Sequence, residues 1–300
     1  NKYFKDRGAI RRRFHTIEIS EPKTEDLYQM LKESIQILEK FHGVKLTKEM
    51  FDFIILNAAC FNFETCNPDR TRDLIDLSMA SAKKEGKKLV DRESVMVNFK
   101  HNLKVFKKMS EDKKRIIAYH ELGHYLMWYF SPQLKDLSVQ AVSIIPADDY
   151  TGVNVFEYID DYFINRDLEY YLCYMAKLIA GRTAEEVLGI DINSGASEDI
   201  EKATKIAYRV VTQYGLSPEF AKNRVYLDSK DYLMNTEKSI ERVNEEVNIL
   251  IEQATQKANT LIRSNIYLLE ILADELCNKG IMNHKELDEI IKKYQELVIV

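Results

Sequence analysis

Apolar residues recur at helical spacing along most of this chain. Between Thr24 and His42 these are Leu27, Leu31, Ile35, Ile37 and Leu38, with Gly43 placed to end the helix. The preceding SEPKTED brings the Ser, Pro and acidic residues of a helix start. The same periodicity predicts helices over Thr47–Phe61, Asp69–Glu85 and Asp91–Phe99, which together make a small helical domain. HNLKVFKKMS, residues 101–110, reads as a linker or boundary. Ser110 then stands as an N-cap, with Glu111 and Asp112 in the first turn of a helix reaching Phe130. Period-two or β-branched stretches are few: HTIEI (His15–Ile19), Ser138–Pro146 and Thr151–Tyr158. Helices follow at Asp167–Leu188 and Ser197–Tyr214, and long helical periodicity runs from Glu237 to about Lys293. The pattern is that of a mainly α chain with a small β-sheet, in two domains, 1–105 and 106–300.

Composition narrows this picture. Only 10 Gly and 5 Pro occur in 300 residues, too few for an all-β fold rich in tight turns. A net charge of -5 gives no general case for a nucleic-acid partner. Cys60, Cys66, Cys173 and Cys277 form no CxxC pair and read as reduced thiols of an intracellular protein. No apolar run reaches the roughly 18 residues of a membrane span. The sequence opens at NKYFKDRGAIRRRF without an initiator Met, so it is expected to be a fragment of something longer.

Chemistry concentrates in HELGH, His120–His124. On a helix, positions i and i+4 share a face, so both imidazoles can bind one zinc ion, and Glu121 between them reaches the metal's water. Zinc lowers the pKa of such a water to about 7, and Glu121 is placed to take its proton and pass it to a leaving amine. Gly123 costs the helix up to about 1 kcal/mol relative to Ala, and its small size gives room for a neighbouring element. A catalytic zinc needs a third protein ligand. No third His stands at HxxGxxH spacing, which leaves Glu185, Glu186, Asp191, Glu198 and Asp199 as candidates that spacing alone does not separate.

Four ordered motifs carry a resemblance. KKRIIAYHELGHYLM, VSIIP, LIAGRTAEEVLG and SGASEDIEKATKIAYRVVTQYGLS resemble the peptidase domain of the FtsH family of ATP-dependent zinc proteases, over about residues 108–295. The resemblance implies a helical zinc peptidase domain acting on polypeptide substrates, with Asp199 of GASED as third ligand and Glu185 orienting a ligand His. It also implies a substrate-pairing edge strand at Val142, Ser143, Ile144 and Ile145, or at the adjoining Thr151–Phe156, reading main chain rather than side chains. ADDYTGVNV departs from the basic, Gly-rich turn usual in that family, so cleft charge differs from the family's.

The N-terminal part looks like something else. KDRGAIRRRF, EISEP, EKFHGVKLT and NPDRTRDLID resemble the end of a Clp-type AAA+ module: its last strand and helical lid. That resemblance makes Arg12 or Arg13 the arginine finger toward a neighbouring subunit's ATP, and puts Arg70 against nucleotide. No GxxxxGK[ST] is present, so ATP and Mg2+ are expected only in a full-length protein whose nucleotide-binding core lies upstream. The implied assembly is a homo-hexamer in the cytoplasm or on the cytoplasmic face of a membrane, with membrane contact only through a missing N-terminal region.

Overall fold

The computed structural model describes residues 22, 24–61, 65–99, 105–146, 152–158, 166–191, 193–217 and 237–298. Arg12, Arg13 and the strand expected at His15–Ile19 lie outside them. The chain separates into two compact units, Asn1–Asn98 and Phe99–Val300.

The first unit is helical. Helix α1 (Thr24–His42) buries Leu27 and Leu31, α2 (Lys48–Phe61) buries Phe51, Ile54 and Ala58, and α3 (Asp69–Lys84) buries Leu74, Ile75 and Met79. A short α4 (Arg92–Met96) follows, capped by the Asp91 carboxylate, which accepts from the Ser94 amide. Gly43 ends α1 at φ +68, a left-handed conformation that only glycine adopts without strain. Ile37, expected on the apolar face of α1, instead stands 67% exposed, because Leu27, Leu31, Ile35 and Leu38 already define the buried stripe.

The second unit is built around two crossed helices. Helix α5 (Glu111–Tyr129) starts at Ser110, whose hydroxyl accepts from the Lys113 amide, as the sequence predicts. It is enclosed by α6 (Leu168–Val187), by α9 (Ile266–Lys279) and by the sheet, so Leu122, Tyr125 and Leu126 are fully buried. Helix α6 also packs on α7 (Ser197–Thr212) and α8 (Glu237–Ser264). Small residues line these contacts: Ala176, Ala180, Ala203, Ala207, Ala254 and Ala258 lie in one core with Met175, Val210, Val211 and Leu250. Small side chains let helix axes approach closely. Gly123 belongs to this pattern. A Cβ there would run into the Ala180 carbonyl oxygen and stand 2.9 Å from its carbon and 3.0 Å from the Ala184 Cβ.

The sheet has three antiparallel strands in the order β2-β1-β3, with β1 Leu137–Ser143, β2 Val153–Tyr158 and β3 Ile281–Asn283. Two expectations are corrected here. The long C-terminal periodicity is interrupted at Asn265 and again at Gly280, where φ is +76. Strand β3 and then α10 (His284–Val298) follow. Strand β3 in turn removes the edge expected at Val142–Ile145. Val142 pairs with Asn154 on one side and Met282 on the other, Ser143 with Val153 and Ile281, and the Ile144 amide donates to the Gly280 carbonyl. Main-chain groups committed on both sides leave no edge at Ala141–Ser143 of β1 for an added strand. Among the described residues, β2 is the strand with a free long side.

Candidate metal centre

Helix α5 presents His120 and His124 one turn apart, and their Nε2 atoms lie 3.1 Å from each other. Helix α7 brings Asp199 in its first turn, with Oδ2 3.3 Å from both Nε2 atoms. One donor atom from each of the three side chains lies within 4.8 Å of the others. Of the five carboxylates that spacing left open, Asp199 is the one in this group. Glu186 pairs with Arg182, Glu198 pairs with Lys202, and Asp191 is exposed.

The far side of each imidazole explains why the Nε2 atoms converge. His124 Nδ1–H donates to the Lys177 carbonyl at 2.7 Å. A carbonyl only accepts, so this tautomer leaves the Nε2 lone pair free. His120 Nδ1 is 2.7 Å from Glu185 Oε1, and Glu185 Oε2 accepts from Asn193 Nδ2 at 2.9 Å. Asn193 Oδ1 accepts from the Gly195 amide, capping the 3-10 turn Ser194–Ala196 that leads into α7. A single amide thus joins the partner of His120 to the segment that delivers Asp199. Gly181 of α6 completes the cradle: a Cβ there would lie 2.6 Å from His124 Nε2 and 2.8 Å from His120 Nε2.

Electrostatics follow from this packing. Burial opposes a charge on Asp199, but the neighbouring His120 and His124 imidazoles outweigh it and hold the carboxyl below the usual range. Burial likewise disfavours charging His120, and Asp199 with Glu185 overcome it, raising the imidazole to about 10. Two oriented imidazoles and a carboxylate form the donor set of a zinc site, each His holding a hydrogen-bond partner on its other nitrogen. The residues therefore fit a zinc ion.

Glu121 is buried beside them. Burial pushes its carboxyl above the usual range against the pull of His124, His120 and Asn154. Asn154 Nδ2 donates to Glu121 Oε2 at 2.7 Å and to the Glu121 carbonyl at 2.8 Å. Lys177 is also buried, and burial brings its ammonium down to about 8 despite Asp199 and Glu121. Asn154, Asn193 and Lys177 escape sequence reasoning because none belongs to a motif and each acts across a tertiary contact. Arg70 lies in the first unit, where its Nε donates to the Thr65 carbonyl.

Comparison with known proteins gives the family. Residues 107–290 match peptidase family M41, and residues 23–122 match an AAA lid domain. Among relatives, the ATP-dependent zinc metalloprotease FtsH of Endomicrobium trichonymphae is 31% identical over 193 residues, 61% of this chain and 30% of that protein. That of Thermus thermophilus is 30% identical over 190 residues, again 61% and 30%. The mitochondrial inner membrane m-AAA protease component yta12 of Schizosaccharomyces pombe is 31% identical over 191 residues, 61% of this chain and 24% of that protein. The chain thus spans less than a third of the length of these relatives. With a match that covers more than half of the chain and encloses His120, His124 and Asp199, the chain belongs to peptidase family M41, the FtsH-like zinc metalloproteases.

Proposed function

We propose that this chain is a zinc endopeptidase hydrolysing peptide bonds of unfolded polypeptides, with His120, His124 and Asp199 as zinc ligands and Glu121 as general base. The convergence of two Nε2 atoms and one carboxylate oxygen within 4.8 Å carries the reading. Zinc at this place supplies Lewis-acid polarisation of the scissile carbonyl and acidifies the attacking water. Glu121 takes the proton of that water and returns it to the leaving amine. Glu185 and the Lys177 carbonyl hold the imidazoles in the tautomer that ligation needs. Strand β2 offers its free side to substrate main chain, which accounts for low sequence selectivity.

The whole protein is an ATP-dependent AAA+ protease on this reading. Residues 1–105 are the end of the AAA+ module and 106–300 the peptidase domain. The nucleotide-binding core, ATP and Mg2+ belong to sequence upstream, and six copies form the ring. Arg12 or Arg13 then serves as the arginine finger and Arg70 faces nucleotide. No helix among the described residues is long and apolar enough to cross a membrane. On this reading the protein works in the cytoplasm or on the cytoplasmic face of a membrane.

The test uses casein, an unfolded substrate. Glu121→Gln is expected to keep about one equivalent of zinc while cleavage falls on the order of 10²–10⁴-fold. Asp199→Ala is expected to lose the metal itself. Casein cleavage by Glu121→Gln at the parent rate defeats the mechanism.

A further inference from the structure

Strand β2 enters the sheet with two residues turned toward the active-site helix. Asn154 is one, and its side-chain amide donates twice to a single residue, Glu121: once to the carboxylate and once to the main-chain carbonyl. A primary amide has two N–H donors, enough for one bond to each acceptor. The opposite orientation is ruled out by chemistry, because Asn154 Oδ1 would then face two acceptors. Oδ1 is itself buried with no partner among the described residues, so the donors orient the amide. Gly152 is the other residue, two positions earlier and on the same face of the strand. A Cβ at 152 would lie 2.7 Å from Glu121 Oε1 and 2.9 Å from its Cγ. One carboxylate oxygen is therefore backed by bare main chain and the other is held by an amide.

We infer that Asn154 is a positioning residue for the reaction: it ties the Glu121 carboxylate to Glu121's own backbone, with Gly152 closing the opposite side, and so fixes the base toward the metal's water. The inference rests on Glu121 being the general base. A glutamate has three side-chain torsions, and the chemical step needs one arrangement of them; a group misplaced by about 1 Å loses on the order of 10²-fold in rate. The same strand carries the free side proposed for substrate, so the residue that holds the base is the second residue of that strand.

The experiment compares Asn154→Ala, Asn154→Asp and Asn154→Ser with the parent on casein, measuring kcat, KM, zinc content and zinc affinity by competition with a chelating dye. Asn154→Asp keeps the shape but sets a carboxylate against Glu121; Asn154→Ser keeps one donor. For Ala and Asp, kcat is expected to fall about 10–100-fold, with KM, zinc content and zinc affinity within about twofold; Ser recovers part of the loss. Crystals of metal-free Asn154→Ala are expected to show the Glu121 carboxylate moved from its place. Combined with Glu121→Gln, Asn154→Ala should add nothing, since both act through one group. An unchanged kcat in Asn154→Ala, an unmoved Glu121, a loss confined to zinc affinity, or full additivity with Glu121→Gln each overturns the inference. Parent-like cleavage by Glu121→Gln alone would instead remove the proposed base, and the two failures are thus told apart.

Discussion

At the scale of single residues, the centre depends as much on what is absent as on what is present. Gly181 faces both imidazoles, and an added methyl carbon would stand under 3 Å from each Nε2. Two effects compete in Gly181→Ala. Helix propensity favours Ala by up to about 1 kcal/mol, while the clash falls on the two atoms proposed to meet a metal. The second governs binding: zinc affinity is expected to drop about 10–100-fold with little change in melting temperature, measured by dye competition and calorimetry. Affinity equal to the parent's would mean that the imidazoles do not bind metal through Nε2. Asn193 works in the other sense, by reaching both Glu185 and the turn before Asp199. The His-Glu-His spacing was readable from helix geometry, because i and i+4 on one helix are neighbours whatever surrounds them, and Asp199 and Glu185 only through the motif resemblance. The residues behind those ligands are neighbours only once α5, α6 and α7 have packed.

At the scale of elements, the α5–α6 contact sets the geometry. Gly123 meets the Ala180 main chain, which cannot move aside as a flexible side chain would. Gly123→Ala should therefore destabilise residues 99–300 by about 1–3 kcal/mol, more than the roughly 1 kcal/mol that Ala returns in propensity. Calorimetry is expected to register a melting temperature lower by about 2–8 °C; a rise would show that the helices relax apart at little cost. The helical periods of α1, α3, α5, α6 and α7 predicted their spans to within a residue or two. Strand β3 was hidden in the C-terminal helical pattern, since three residues are too short to show a period, and only pairing with Ala141, Val142 and Ser143 defines it. That one short strand covers Ala141–Ser143 of β1 and leaves β2 and β3 as the outer strands of the described sheet.

At the scale of the molecule, the metal would connect elements far apart in sequence. His120 and His124 belong to α5 and Asp199 to α7, and α6 lies packed against both. A ligand that binds only the folded form stabilises it by about 3 kcal/mol at a hundredfold excess over its Kd. Removing zinc with a chelator is expected to lower the melting transition of residues 99–300 by about 5–10 °C and to leave the transition of residues 1–98 where it was. Equal shifts in both, or none in either, would place the metal elsewhere.

The sequence by itself determined the helices and the pair of imidazoles flanking Glu121. These are local properties: a period of 3.6 residues and a cap such as Ser110 are set by neighbours along the chain. The motifs around HELGH also carried the family resemblance. That resemblance pointed to Asp199, which spacing alone left among five carboxylates, and the structure brings it to the two histidines. Tertiary structure alone decided how the three strands are ordered and which amide grips Glu121. Each of those depends on groups brought together by packing across the chain, and a one-dimensional pattern holds no distance between them.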